Sequence, residues 1–165
     1  MTPRRYLSIA VCIIGCGMAA VFFDGAVARP LGDVGWTIYG DERGTHVDYP
    51  ARLLSVSADS QHSGGQRFMT ADSRAALEIF TRPSEGQSPR RYLAKHFPGS
   101  RSALDYDRVA RNFFAVSMES EKTVLYRRCN FAGGTIHCIE LSYPTAEKKD
   151  WDDIVTRISR SLRPL

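Results

Sequence analysis

From residue 35 onward the chain is patterned mostly by alternation of apolar and polar positions. Alternation sends successive side chains to opposite faces of a strand, whereas a spacing of three and four lines one face of a helix. Residues 35–40 predict a first strand, with Trp36, Ile38 and Gly40 on one face. Residues 45–49 predict a second, ended by Pro50. A short helical turn is expected over 51–54, and the polar, glycine-rich stretch 57–66 reads as a loop. A hairpin follows, with strands over 67–70 and 75–81 joined by Ala71-Asp72-Ser73-Arg74. Four more strands are expected over 104–109, 113–118, 123–130 and 135–143, with Glu119 to Lys122 turning between the second and third of them.

Two helices break this pattern. Ser88 is positioned to cap the first and Pro89 to occupy its first turn, where no N–H is required. That helix should run to Phe97 and stop at Pro98-Gly99. The second is expected to be capped by Thr145. Its apolar face is Trp151, Ile154, Val155, Ile158 and Leu162. Glu147, Asp150, Asp152 and Asp153 stand at its positive end, and Arg157, Arg160 and Arg163 at its negative end, which suits the helix dipole. Many antiparallel strands with few helices make an α+β domain: an antiparallel β-sheet flanked by two or three helices. No repeat or interdomain linker interrupts it.

Residues 1–28 follow a different rule. Arg4 and Arg5 precede an apolar run from Leu7 to Phe23, and Ala26-Val27-Ala28 offers small residues before Arg29. This is the three-part pattern of a secretory signal peptide. It predicts cleavage near Ala28, a periplasmic or secreted domain over 29–165, and an ordered core over about 35–162. The alternatives are an uncleaved N-terminal membrane anchor, because the run approaches the ~20 residues of a span, and a lipoprotein carried on Cys16. Cleavage changes the composition. The 165 residues are 43% apolar with a formal charge of +4, but the signal segment is mostly apolar. The folding unit of 137 residues is 38% apolar at +3, still enough for one core.

Export exposes cysteines to oxidation. Two of the four lie beyond residue 28, Cys129 and Cys138, flanking Gly133-Gly134. Glycine supplies the positive φ of a two-residue hairpin turn. Counting outward pairs Ala132 with Thr135, Asn130 with His137, Cys129 with Cys138, Arg127 with Glu140 and Tyr126 with Leu141. The cysteines then occupy a non-hydrogen-bonded pair, where side chains approach most closely and a cross-strand disulfide fits.

Candidate chemistry is sparse. The sequence has no nucleophile elbow, phosphate loop, dinucleotide fingerprint or His-Glu-X-X-His, and no motif calls for a cofactor. His46 and Asp48 alternate on one strand and are two candidate metal ligands, the basis of an alternative reading as a metal-dependent or hydrolytic enzyme. Without a third ligand an ordinary solvated strand face explains them as well. His137 near a hairpin tip reads as solvated or hydrogen-bonded. Charge is the uneven feature. Arg82 to Arg111 carries seven cations against Glu85, Asp105 and Asp107. Arg90, Arg91, Lys95 and Arg101 within it form a candidate face for an anionic partner, either an envelope protein or an anionic surface polymer. A solvated helix with its loops is the plainer explanation. Nucleic acid is disfavoured by export and by the lack of interleaved aromatics. Membrane contact is expected only through an uncleaved signal segment.

Taken together, Trp36-Thr37-Ile38-Tyr39, Gly44 to Pro50, Arg67-Phe68, Asn112 to Ser117, Tyr126-Arg127-Arg128, Ile139 to Pro144 and Trp151 to Leu162 resemble a group of small exported proteins of Gram-negative bacteria without an assigned activity. More distantly, they resemble the PsbP-like fold, an α-β-α sandwich with a Tyr-Pro near its start and a closing helix that ends in Ser-Leu or Ser-Phe. The resemblance implies a partner-binding scaffold more than a catalyst, and it transfers no site residues. A bridge between Cys129 and Cys138 is not a general feature of that fold.

Overall fold

A computed structural model describes residues 34–57, 65–96 and 104–165. Residues 1–28, where a signal peptide is expected, lie outside the described residues, as do His62 and Arg101. Among the described residues ten strands form two antiparallel sheets. In chain order they are β1 (Trp36–Gly40), β2 (Thr45–Pro50), β3 (Ser55–Val56), β4 (Gly65–Met69), β5 (Ala76–Pro83), β6 (Tyr106–Val109), β7 (Phe113–Glu119), β8 (Thr123–Ala132), β9 (Thr135–Pro144) and β10 (Arg163–Pro164). The seven-stranded sheet has the order β3-β4-β5-β9-β8-β7-β6, and the three-stranded sheet the order β1-β2-β10. Helix α1 (Pro89–His96) follows β5, and α2 (Lys148–Ser161) follows β9. The fold is α+β, as expected, with its helices on opposite faces of the large sheet. Among the described residues no helix is long and apolar enough to cross a membrane.

Strand alternation divides β9 between two cores. Ile139, Leu141 and Tyr143 point toward α2, where they meet Trp151, Ile154, Val155 and Ile158. Ile136 and Cys138 point the other way, toward Tyr92 and Leu93 of α1. The small sheet shares the α2 side. Tyr39 and Tyr49 pack on Phe68 of β4, with ring centroids 6.0 and 4.5 Å away. Ile38, 59% exposed, and Gly40 therefore face outward, whereas Trp36 at the start of β1 is partly buried against the α2-side core, with the Arg157 guanidinium 4.1 Å from its ring centroid.

Residues 51–54 make the expected single helical turn, the Leu54 N–H donating to the Pro50 carbonyl at 2.9 Å. Two details differ from expectation. Thr145 does not cap α2. It opens a 3₁₀ turn (Thr145–Glu147), and its hydroxyl donates to the Ser120 carbonyl at 2.9 Å, tying the helix entry to the β7–β8 turn. Two short strands, β3 and β10, carry no periodicity that two residues could display. Pro164 is tolerated because β10 is an edge.

The β8–β9 hairpin has the register the glycines imply. Gly133 and Gly134 have φ of +56° and +80°, a type I′ combination. Cys129 and Cys138 oppose each other with Cα atoms 4.1 Å apart and sulfurs bonded at 2.03 Å, both fully buried. Arg127 meets Glu140 in a doubly contacted ion pair.

Candidate functional site

Helix α1 begins as its sequence dictates. Ser88 Oγ accepts the Arg91 N–H at 3.3 Å, and Pro89 fills the first turn. Tyr92 and Leu93 are buried. Tyr92 stacks on Phe114 at 6.0 Å and meets Phe131 edge-on at 5.8 Å, directly over the cysteine pair. With that face fixed inward, Arg90, Arg91, Ala94 and Lys95 fall on the opposite arc, about 140° wide, and all four are exposed. The three cations thus share one solvent face.

The electrostatics of this face are lopsided. The first turn of α1 contains no acidic residue. Arg90 and Arg91 stand where unpaired backbone N–H groups already make the potential positive. Arg82, exposed on the same side of the large sheet, has its guanidinium 5.7 Å from the Phe80 ring centroid and adds a fourth cation. The sheet on this side carries both signs: Arg67, Glu78, Glu140, Arg127, Val116 and Asp107 form one row across β4, β5, β9, β8, β7 and β6. The Arg67–Glu78 pair is 3.2 Å apart.

The basic stretch from Arg82 to Arg111 does not make a single face. Arg108 belongs to β6 and lies on the α2 side of the sheet, while Arg111 stands in the β6–β7 turn. Linear charge density overstated the patch, because a sheet edge intervenes between its two halves.

His46 and Asp48 do share the outward face of β2, as alternation requires. Arg163 of β10 sits opposite His46, and its guanidinium approaches Asp48 Oδ1 to 3.9 Å. A fixed guanidinium beside both candidate ligands opposes a metal cation. Among the described residues no third ligand joins them.

Of the two settings expected for His137, the structure has the hydrogen-bonded one: the residue is buried, 3% exposed. Its Nδ1 lies 2.9 Å from Thr45 Oγ1, which is itself inaccessible. Asp41 Oδ1 accepts the N–H groups of Arg43 and Thr45, and Arg43 donates to Thr81 Oγ1 at 2.6 Å. Burial pushes the His137 pKa down, against the opposing pull of Asp41. This cluster fastens the β1–β2 turn over the end of the large sheet. It is closed to substrate, and periodicity alone did not reveal it because its partners come from separate sheets.

No protein-family model matches the chain, and no curated protein matches it. Among solved structures it is similar to the cyanobacterial PsbP (CyanoP) of Synechocystis sp. PCC 6803. The identity is 11% and the TM-score 0.58, over 93% of this chain and 99% of that one. A structure from Bacteroides thetaiotaomicron VPI-5482 aligns at 12% identity with a TM-score of 0.47, over 74% of this chain and 45% of that one. With two helices on opposite faces of an antiparallel sheet and a near full-length match to CyanoP, the chain has a PsbP-like fold.

Proposed function

We propose that the chain is an exported, non-catalytic accessory domain of the cell envelope that engages an acidic partner protein through the solvent face of α1. The observation that carries this reading is the grouping of Arg90, Arg91 and Lys95 on one exposed arc, with no acid in the first turn to offset them. Two further features support it. The His46–Asp48 strand is occupied by Arg163, and the buried histidine is locked to Thr45. The PsbP-like fold is consistent with a scaffold role, and the residue 1–28 pattern with export.

Pull-down from envelope extract tests the reading. The protein should recover a discrete partner whose yield falls as ionic strength rises beyond about 0.15 M. The double variant Arg90→Glu/Arg91→Glu should release that partner while leaving the circular dichroism spectrum unchanged. Recovery insensitive to both salt and charge reversal would sink the α1 interface.

A further inference from the structure

The outer strand of an open sheet presents backbone N–H and C=O groups that can pair with another chain, and proteins protect such edges with short strands, charges or proline. Among the described residues the two sheets have four outer strands, β3, β6, β1 and β10. Three carry that protection. Strands β3 and β10 are two residues long, and β10 contains Pro164. Strand β6 exposes Asp107 and Arg108. Strand β1 has none of these devices. It reads Trp-Thr-Ile-Tyr-Gly, five residues without a charge or a proline, and Thr37, Ile38 and Gly40 are exposed.

The phase of the ladder shows which groups of β1 face the open side. The Asp41 N–H donates to the Thr45 carbonyl at 3.2 Å, so 41 and 45 are a bonded pair in the β1–β2 register. Bonded pairs alternate, which makes Tyr39–Val47 and Thr37–Tyr49 the next two. The N–H and C=O of Ile38 and Gly40 therefore point away from β2. By the same rule the N–H of Asp48, opposite Ile38, points away from β1, and it donates to Ser161 Oγ at 2.8 Å. Among the described residues no group bonds to the Ile38 backbone on its open side.

The segment that fits this edge is the same edge turned round. Ile38 is the middle residue of β1, so a two-fold axis through it, normal to the sheet, lays the whole strand against its copy. Ile38 then opposes Ile38 of the second copy, and the two exchange both backbone bonds. Trp36 opposes Gly40, so the ring held against Arg157 meets no competing side chain. Thr37 opposes Tyr39. One step beyond, Asp41, whose carboxylate already accepts two N–H groups, opposes Gly35, so like charges do not meet in the pairing.

We infer that β1 pairs antiparallel with β1 of a second copy of this chain, joining two three-stranded sheets into one of six strands. One five-residue strand buries less than the ~1,200 Å² of a standard stable interface, so the dimer is weak and grows with concentration. Helix α1 lies on the other face of the large sheet and stays open. The pairing is thus independent of the partner assigned to α1, and a complex formed through β1 is recognised because it contains this chain alone.

Sedimentation velocity and amide hydrogen exchange on the purified protein, at about 10 µM and about 1 mM, test the pairing. The expected result is monomer at the lower concentration and a growing share of dimer at the higher. The Ile38 amide should exchange more slowly as the dimer forms, whereas those of Thr37 and Tyr39, already bonded to β2, should change little. Ile38→Lys sets two like charges opposite each other at an exposed position, so it should keep the fold and weaken association about tenfold. Val56→Lys, at the exposed apolar position of β3, should leave association unchanged. Monomer at both concentrations, or a dimer that survives Ile38→Lys, overturns the inference. So does an Ile38 amide equally protected at both concentrations, which would mean that another segment of the same chain covers the edge.

Discussion

His137 shows how one residue links burial to pH. Neutral imidazole suits its place against Thr45, because charging it there would leave a cation with little water around it. Burial therefore depresses its pKa below the ordinary 6.5. The unfolded chain binds a proton near pH 6.5, whereas the folded chain binds it only at lower pH. Stability must consequently fall as pH drops below 6.5 and level off once pH passes the folded value. The slope in that window is at most one proton, about 1.4 kcal/mol per pH unit. Urea unfolding between pH 7.5 and 5 should show this decline, and His137→Gln should flatten it. A variant with the wild-type slope would assign the titration to another group. Hairpin register places this residue across from Asn130, and that much is legible in the sequence. Its partner Thr45 lies 92 positions away on the small sheet, beyond any local pattern.

At the scale of elements, the parts most legible in sequence are those that repeat a period. Strands β7, β8 and β9 and helix α2 each bury the side their alternation or three-and-four spacing marks. Ile158 sits at the centre of the α2 face and is completely buried, so Ile158→Ala should cost about 2–5 kcal/mol in chemical denaturation. A loss under 1 kcal/mol would show that α2 is not anchored as described. The β8–β9 hairpin makes a second prediction. Its bridge closes a loop of about ten residues, which in the chain-entropy model is worth ~2–3 kcal/mol. Thiol titration of the protein, purified without reductant and denatured, should find no free sulfhydryl at Cys129 and Cys138, and two would refute the bridge. The elements that sequence did not disclose failed for identifiable reasons. Strand β10 is two residues long and contains proline. The Thr145 hydroxyl has a competing acceptor, the Ser120 carbonyl, whose nearness depends on how the β7–β8 turn folds back.

For the whole molecule, sequence conveyed the class of fold more fully than the distribution of charge. Counting strands and helices suffices for an antiparallel sheet between helices, but it does not say that β1 and β2 separate into a second sheet with β10. That division depends on Tyr39 and Tyr49 finding Phe68. Charge was concentrated between Arg82 and Arg111 along the chain, yet the sheet sorts it onto two faces. One part gathers on α1, the other beside Phe113. The central claim is that the α1 face is where this domain meets its partner. Ala94 lies exposed among Arg90, Arg91 and Lys95 and is the place to ask. A photo-crosslinking amino acid at position 94, in the full chain expressed in a Gram-negative host, should give one discrete adduct, and Arg90→Glu/Arg91→Glu should abolish it. Adducts absent at 94 but present from a probe at exposed position 38 on β1 would contradict the account and move the interface to the small sheet.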